Sequence, residues 1–155
     1  MSEKTEMPRK FVPPPLELVK SRIEEVLPPD AKARIEDGAV LVDVRDPERF
    51  ETGHLAGAVN VSSGQSARGA QEDAYAEAVA EAAGGKDKPL ILYCGEGNRS
   101  ARTADALANE HGFERVASII GGVKLWGDLG LPVEGEVDVA GEERETDLEG
   151  EEDKT

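Results

Sequence analysis

The sequence predicts a three-layer α/β domain, in which a parallel sheet of about five strands carries helices on both faces. The first observation behind this prediction is a series of short apolar segments such as LILY at residues 90–93, which suit strands buried on both faces of a parallel sheet. The second is that segments with apolar residues at helical spacing lie between these runs. Alternating strands and helices of this kind are joined by right-handed crossovers.

Taken in order, the elements are bounded by proline and glycine residues. The predicted strands are residues 22–26, 41–44, 59–61, 90–93 and 116–120, the last of these being the final strand. Helices are predicted at 30–36, 71–83 and 101–111, ended by Gly38, Gly84 and Gly112, and a short helix follows 121–122. A turn is expected at Asp46-Pro47. In the helix at 71–83, the predicted apolar face consists of Tyr75, Ala78, Val79 and Ala82, and in the last helix Trp126 is expected in the core.

The two ends of the chain differ in composition from the middle. Residues 1–20 are polar and then proline-rich, which predicts a flexible or extended arm before a domain at 21–133. Residues 134–155 contain eleven acidic residues against two basic ones and contain no aromatic residue. Such a segment repels itself and lacks apolar surface to bury, so we predict a disordered acidic tail.

Composition excludes several classes of partner and cofactor. A formal net charge of −15 disfavours nucleic acid and anionic membrane surfaces, and no apolar run approaches the length of a transmembrane helix. Cys94 is the one cysteine, which rules out an internal disulfide and favours the reducing cytoplasm. The two histidines, His54 and His111, lie far apart in the sequence, so the sequence predicts neither a metal site nor a cofactor.

The segment CGEGNRS, at residues 94–100, joins the strand at 90–93 to the following helix. Gly95 and Gly97 allow the loop to turn its N–H groups, including those of Glu96 and Asn98, towards a common centre at the helix N-terminus. Arg99 adds a positive charge and Ser100 is predicted to cap the helix. Because each of these groups favours the anion over the neutral thiol, we predict a reactive thiolate at Cys94. A cysteine that only packs in a core needs neither the glycines nor the arginine.

The loop CGEGNRSA resembles the active-site loop of single-domain rhodaneses, which are sulfurtransferases. Two further segments match the same family: LVDVRDPERFETGHLAGAVNV at residues 41–61 and GGVKLWGDLGLPV at 121–133. The resemblance implies a rhodanese-like fold and a two-step transfer of sulfur through a Cys94 persulfide, with Gly95–Ser100 as the N–H cradle and Arg99 contacting the donor. The implied partners are a small anionic donor, thiosulfate or a persulfide, and a thiol or cyanide acceptor.

Two other residues of these segments, Arg45 and His54, are candidates for a role near the loop. The resemblance implies that Arg45, in the DVR pattern, can lie near the active site and help to hold the anion of the donor. The competing interpretation of Arg45 is a salt bridge with Asp43 or Glu51. We interpret His54, in GHLAGA, as a hydrogen-bonding scaffold residue rather than a base.

Two alternative functions remain after the resemblance is considered. Cysteine phosphatases of the rhodanese fold, with their arsenate-reducing relatives, place five residues between cysteine and arginine, whereas only four separate Cys94 from Arg99. Glu96 also places a carboxylate in the loop, which would repel a phosphate dianion unless it is turned outward. The second alternative is a non-catalytic rhodanese-like module for binding or regulation. Such modules commonly lack the cysteine, so its presence argues against that interpretation.

Overall fold

A five-stranded parallel sheet forms the centre of the structure, a computed structural model that describes residues 12–64 and 70–137. Its strand order is β1-β6-β5-β2-β4, and each neighbouring pair is parallel. The strands of this sheet are β1 (Glu24–Val26), β2 (Val40–Asp43), β4 (Val59–Asn60), β5 (Leu90–Tyr93) and β6 (Val116–Ile119). Two short strands, β3 (Gly53–Leu55) and β7 (Val133–Gly135), form a separate antiparallel pair. The fold class predicted from the sequence is confirmed.

Helices cover both faces of the sheet. They are α1 (Leu16–Ser21), α2 (Pro28–Glu36), α3 (Pro47–Thr52), α4 (Asp73–Ala83), α5 (Asn98–Glu110) and α6 (Gly122–Asp128). Alternate residues of β5 face opposite layers, since Leu92 packs with α4 and α5 whereas Ile91 packs with α2 and α6. Trp126 of α6 is buried in the second layer, as expected. Among the described residues, no helix has the length and apolar character needed to cross a membrane.

The strand order places the end of β5 at a branch point of the sheet. The chain after β2 adds β4 on one side, whereas the chain after β5 adds β6 on the other side. Because β2 and β5 are neighbours, their carboxyl ends lie together at the point where the direction of winding reverses. Ligands of open α/β sheets bind in the crevice at such a point. The loop that begins at Cys94 follows β5 here.

The structure corrects the prediction for the segment before β1. Residues 1–20 were expected to form a flexible or extended arm, but Leu16–Ser21 form α1, which packs on α5. Val19 is fully buried, and Nη1 of Arg102 donates to the carbonyl of Pro14 at 2.6 Å. A short helix is retained here because it buries its apolar residue against a neighbouring helix. The part of the prediction that concerns residues 1–11 lies outside the described residues.

The structure also extends beyond the predicted end of the domain. Residues 134–155 were assigned to the acidic tail, but Glu134 and Gly135 belong to β7, which pairs with β3. The N–H of Glu136 donates to the carbonyl of Thr52 at 3.0 Å, and Val137 packs against the second core layer. Composition alone assigns this charged segment to a tail, but its backbone hydrogen bonds to β3 and Thr52 hold it on the domain. Residues 138–155 lie outside the described residues.

Three local predictions were wrong in detail. In α4 the buried residues are Tyr75, Ala76, Val79 and Ala83, whereas Ala78 and Ala82 are exposed. The helix therefore faces the sheet along a different stripe from the predicted one. Asp46-Pro47 begins α3 rather than a turn, with the proline at the first helical position, where its missing N–H costs nothing. Finally, β7 follows β6, which was expected to be the last strand.

Candidate active site

The sulfur of Cys94 lies at the N-terminus of α5 and accepts two backbone hydrogen bonds. The N–H of Gly97 donates to Sγ at 3.2 Å and the N–H of Ser100 donates at 3.3 Å. Ser100 is the third residue of α5, so its N–H has no acceptor within the helix. The sulfur therefore accepts the hydrogen bond that a capping oxygen would usually accept. It also lies at the end of the helix that carries partial positive charge. Cys94 itself is only 4% exposed, at the base of its loop.

The prediction that Ser100 caps α5 was wrong. The helix begins earlier, at Asn98, and its N-cap residue is Gly97, with φ at 101°. A Cβ on Gly97 would lie 3.0 Å from the nitrogen of Gly121 and 3.1 Å from the carbonyl oxygen of Ile119. Both the left-handed backbone and the close approach of these atoms therefore require glycine at this position.

The N-terminus of α6 holds the other side of the loop. The N–H of Val123 donates to the carbonyl of Cys94 at 2.9 Å, and the N–H of Lys124 donates to the carbonyl of Gly95 at 3.2 Å. Because N–H and C=O point in opposite directions across a trans peptide, the N–H groups of Gly95 and Glu96 turn away from α6. A Cβ on Gly122 would lie 2.4 Å from the carbonyl oxygen of Cys94, so only glycine allows this approach.

Two buried hydroxyl groups lie behind the sulfur. Ser100 Oγ is 3.5 Å from Cys94 Sγ and 2.8 Å from Ser118 Oγ on β6. Both serines are fully buried. Ser118 is a residue of the site that the sequence patterns above do not predict. The available signal was a single hydroxyl residue within the apolar run VASII, because a buried hydroxyl needs a hydrogen-bond partner.

The predicted loop residues lie together, and their side chains point in different directions. Glu96 is turned outward and pairs with Lys124 at 2.8 Å, which removes the argument that its carboxylate would repel a phosphate. Asn98 is exposed at the first turn of α5. Arg99 reaches back to the end of β2, where Nη2 donates to the carbonyl of Val44 and to Asp46 at 3.2 Å each. Its Nε donates to Ser63 at 3.4 Å.

For Arg45, the structure contains the salt bridge with Asp43. Its guanidinium makes a bidentate contact with Asp43, 2.7 Å at the shortest, and donates to the carbonyl of Gly53 at 2.7 Å. Burial opposes the charge of Arg45, but the hydrogen bonds and charge of Asp43 raise the pKa of the guanidinium. The interpretation of Arg45 as part of a salt bridge with Asp43 is therefore confirmed, and its contact with the donor stays a prediction. Burial similarly raises the pKa of neighbouring Tyr93, whose hydroxyl accepts a hydrogen bond from the N–H of Leu55.

An open cleft of about 220 Å³ lies on the α3 side of the loop. It is lined by Arg45, Glu48, Arg49, Thr52, Glu136 and Val137. Arg49 connects the cleft to the loop, since its Nη2 is the atom nearest to a Cβ built on Gly95, at 4.0 Å. The sequence did not predict a place for Arg49 beside the loop, because the pattern around it indicates only a turn.

His54 has the scaffold position expected of it. Its Nδ1 lies 2.8 Å from the carbonyl oxygen of Phe50, its Nε2 lies 3.0 Å from Glu134, and its ring stacks on that of Phe50. These contacts join α3 to the β3–β7 pair. His111, at the other end of the domain, lies 3.2 Å from the carbonyl oxygen of Gln71.

Comparison with known proteins adds an independent observation. The family described as Rhodanese-like domain matches residues 27–129. The thiosulfate sulfurtransferase GlpE of Pseudomonas syringae is 37% identical over 106 residues, which cover 68% of this chain and 89% of that protein. The family match spans the segments at 41–61 and 94–101 and the first nine residues of the segment at 121–133.

Solved structures with the same fold carry different descriptions. A Rhodopseudomonas palustris protein described as of unknown function and a possible tyrosine phosphatase is 31% identical, with a TM-score of 0.63, covering 83% of this chain and 99% of that one. The polysulfide-sulfur transferase of Wolinella succinogenes has a TM-score of 0.61 at 22% identity, covering 78% of this chain and 85% of that one. The second likeness concerns the fold alone.

Proposed function

This chain belongs to the rhodanese-like domain family, and we propose that it is a sulfurtransferase that uses Cys94 as its nucleophile. The proposed reaction moves a sulfane sulfur from thiosulfate, or from a persulfide donor, to a thiophilic acceptor through a Cys94 persulfide. The observation that carries the proposal is the pair of N–H groups, from Gly97 and Ser100, that donate to the sulfur at the N-terminus of α5. This arrangement stabilises negative charge on sulfur without any rearrangement of the chain.

The first step forms the persulfide. The Cys94 thiolate attacks the outer sulfur of thiosulfate, a bond forms between the two sulfurs, and the sulfur–sulfur bond of the donor breaks. Sulfite leaves with the electron pair of that bond. Because the attacking species in this step is a thiolate and the leaving group is a stable anion, the step itself needs no general base. The N–H groups of Gly95 and Glu96, turned away from α6, are the donors proposed to receive the incoming anion.

The second step returns the enzyme to its starting state. An acceptor thiolate or cyanide attacks the outer sulfur of the persulfide, and the bond to Cys94 Sγ breaks. Sγ leaves with the electron pair as a thiolate, which the N–H groups of Gly97 and Ser100 again stabilise. The Cys94 thiolate is the nucleophile of the first step and the leaving group of the second. The same two N–H groups therefore assist both steps.

The positive charge of Arg99, beside the Cys94 loop, favours a small anionic donor as the substrate. Arg99 is held at the end of β2 and is 35% exposed, so it keeps access to solvent beside the loop. We propose Arg99 as the charged group nearest to the donor, with the loop residues 95–98 and Ser100 supplying the cradle. Arg45 contributes by fixing Asp43 and Gly53 rather than by touching the donor. A free thiol as nucleophile supports a reducing, cytoplasmic location.

The direct test is mass spectrometry of the intact protein after exposure to thiosulfate. We expect one added sulfur atom, on a peptide containing Cys94, and its removal by cyanide with release of thiocyanate. Cys94→Ala should show neither the added mass nor turnover in the thiosulfate–cyanide assay. A wild-type protein that gains no sulfur while its thiol remains reduced would exclude the proposed function.

The phosphatase alternative needs its own assay, because a structural relative is described as a possible tyrosine phosphatase. The four-residue spacing between Cys94 and Arg99 argues against it, whereas the outward position of Glu96 no longer does. We expect no turnover of p-nitrophenyl phosphate that depends on Cys94. Cys94-dependent phosphate release without persulfide formation would establish the alternative, and inactivity in both assays would favour a binding module.

A further inference from the structure

We infer that Ser118 is a positioning residue of this site: its hydroxyl donates to Ser100 Oγ and thereby directs the Ser100 hydroxyl hydrogen to the sulfur of Cys94. The inference deepens the proposed function, on which it rests for the role of the sulfur. It begins from the position of Ser118 in β6, a strand paired on both sides, which fixes its backbone.

The hydrogen of the Ser118 hydroxyl has one destination in the part of the chain that the structure describes. Ser118 is fully buried, and Ser100 Oγ at 2.8 Å is the hydrogen-bond partner of its side chain there. A buried hydroxyl donates its hydrogen wherever an acceptor is in reach, because an unpaired donor costs free energy. Whenever the Ser100 hydroxyl donates its own hydrogen to another group, the Ser118 hydroxyl therefore donates to Ser100 Oγ.

Ser100 then has one hydrogen and two possible acceptors. The carbonyl oxygen of Gly97 lies 3.4 Å from Ser100 Oγ, and Cys94 Sγ lies 3.5 Å away. For a hydroxyl donor and an oxygen acceptor, 3.4 Å is long, since such bonds are usually about 2.7–2.8 Å. The larger sulfur atom makes 3.5 Å a normal contact, and a thiolate is a charged acceptor that forms the stronger bond. The ionised sulfur thus receives a third donor, besides the N–H groups of Gly97 and Ser100.

The direction of the hydrogen bond between Cys94 and Ser100 depends on whether the sulfur is a thiol or a thiolate. When Cys94 is a neutral thiol, its S–H donates to Ser100 Oγ, as the geometry at 3.5 Å allows. When the thiolate forms, Ser100 turns its hydrogen towards the sulfur and Ser118 stabilises that orientation. No proton leaves either serine, so the step is a change of hydrogen-bond direction. Removing the Ser118 hydroxyl would leave Ser100 without its donor and weaken its bond to the thiolate.

The test compares Ser118→Thr with Ser118→Val, a pair of the same shape that differs in the hydroxyl. The first readout is the rate at which uncharged iodoacetamide alkylates Cys94 at pH 7, and the second is the ultraviolet absorbance of the thiolate relative to a Cys94→Ala background. Ser118→Val and Ser118→Ala should lower the alkylation rate about threefold to tenfold. Ser118→Thr should stay within about twofold of wild type. Equal losses in the Thr and Val variants, or no loss in Ser118→Ala, would overturn the inference.

A double-mutant cycle separates positioning from a general loss of packing. If Ser118 acts through Ser100, then Ser118→Ala should have no further effect on alkylation in a Ser100→Ala background. An undiminished effect there would contradict the relay. Thr103→Val is the control for buried hydroxyls, because Thr103 lies on the same helix and donates to the carbonyl of Arg99. Since alkylation does not require a sulfur donor, these results hold whether or not wild type forms a persulfide, and persulfide formation tests the proposed function separately.

Discussion

Each donor to the Cys94 sulfur comes from a residue whose own position is constrained elsewhere. Gly97 is held by the approach of Gly121 and Ile119, and Ser100 is held by α5 and by Ser118. The loop carbonyls in turn bind the N-terminus of α6. A site built in this way is preorganised, because its donors already face the sulfur before any substrate arrives. Substitutions at the contact points should therefore affect chemistry more than stability.

A substitution at Gly122 tests whether the position of the loop controls activity. In Gly122→Ala the new Cβ meets the carbonyl oxygens of Cys94 and Gly95 at 2.4 and 2.6 Å, so the loop must shift. We expect at least about a hundredfold loss of thiosulfate–cyanide activity, since small misplacements of reacting groups are costly. Gly130→Ala is the matched control, because Gly130 also has positive φ, at 73°, but has open space around its Cβ. It should lose about 1 kcal/mol of stability and keep its activity.

Arg99 tests the charge at the rim. Arg99→Gln should raise the KM for thiosulfate about fivefold, which corresponds to about 1 kcal/mol for a partly exposed charge. Arg102→Gln removes the same charge from the next turn of α5, where the guanidinium binds the carbonyl of Pro14. That control should leave KM unchanged. If both variants raise KM equally, the effect is one of net charge, and Arg99 has no specific contact with the donor.

At the scale of elements, α5 joins the catalytic loop to the N-terminal part of the domain. Its first turn holds the sulfur, and its outer side carries α1. Arg22, which follows α1, forms a bidentate contact with Asp105 at 2.7 and 2.9 Å, and Asn109 donates to the same carboxylate. The segment before β1 is therefore part of the support for α5.

A substitution at Val19 measures how much the docking of α1 contributes to the free energy of unfolding. Val19 is fully buried, so Val19→Ala should lower the free energy of unfolding by about 2 kcal/mol through lost burial and the cavity left behind. Its neighbour Leu18 is 46% exposed, and Leu18→Ala should change the free energy by less than about 0.5 kcal/mol. Urea unfolding of both variants provides the measurement. Equal small effects would mean that α1 does not stay docked in solution.

Asp105 gives this contact a pH dependence. Burial opposes ionisation, but hydrogen bonds from Arg22 and Asn109 outweigh it and lower the pKa of the Asp105 carboxyl below its ordinary value of 3.8. A lowered pKa in the folded state adds stability above the unfolded-state value, and that stability is lost as pH falls through the folded value. The stability difference between wild type and Asp105→Asn should therefore be constant near neutral pH and shrink below about pH 4. A difference that grows on acidification would contradict this assignment.

At the scale of the whole molecule, negative charge is concentrated outside the sheet. The formal net charge is −15, whereas the groups that donate to the sulfur are backbone N–H groups at the N-terminus of α5. The β3–β7 pair closes the side of the domain next to the cleft of Arg45 and Arg49. The folded domain thus includes the first four residues, 134–137, of the acidic C-terminal sequence.

Two truncations locate the end of the folded domain. Removing residues 138–155 should change the melting temperature by less than about 2 °C, because the acidic composition offers little apolar surface to bury. Removing 134–155 should lower the melting temperature by about 5 °C or more, because it also removes the pairing of β7 with β3 and the contact of Glu134 with His54. Calorimetry of both chains decides this, and equal melting temperatures would place the boundary at residue 133.

The sequence alone determined the features that depend on local patterns. The apolar run 90–93, the two glycines after Cys94 and the glycine stops of the helices predict strand, loop and helix within a few residues, because backbone preference and burial periodicity act over short distances. The position of Cys94 beyond a parallel strand followed from the same information, whereas the family was indicated by the resemblance of three segments, 41–61, 94–101 and 121–133, to rhodaneses.

Only the tertiary structure decided which groups meet at the sulfur. Ser118 reaches Ser100 across 18 residues of sequence, Val123 binds the carbonyl of Cys94, and Arg45 is occupied by Asp43 rather than by the loop. The docking of α1 and the pairing of β7 likewise depend on partners far away in the chain. Contacts of this kind are set by how the layers pack, and no local pattern of residue types records them.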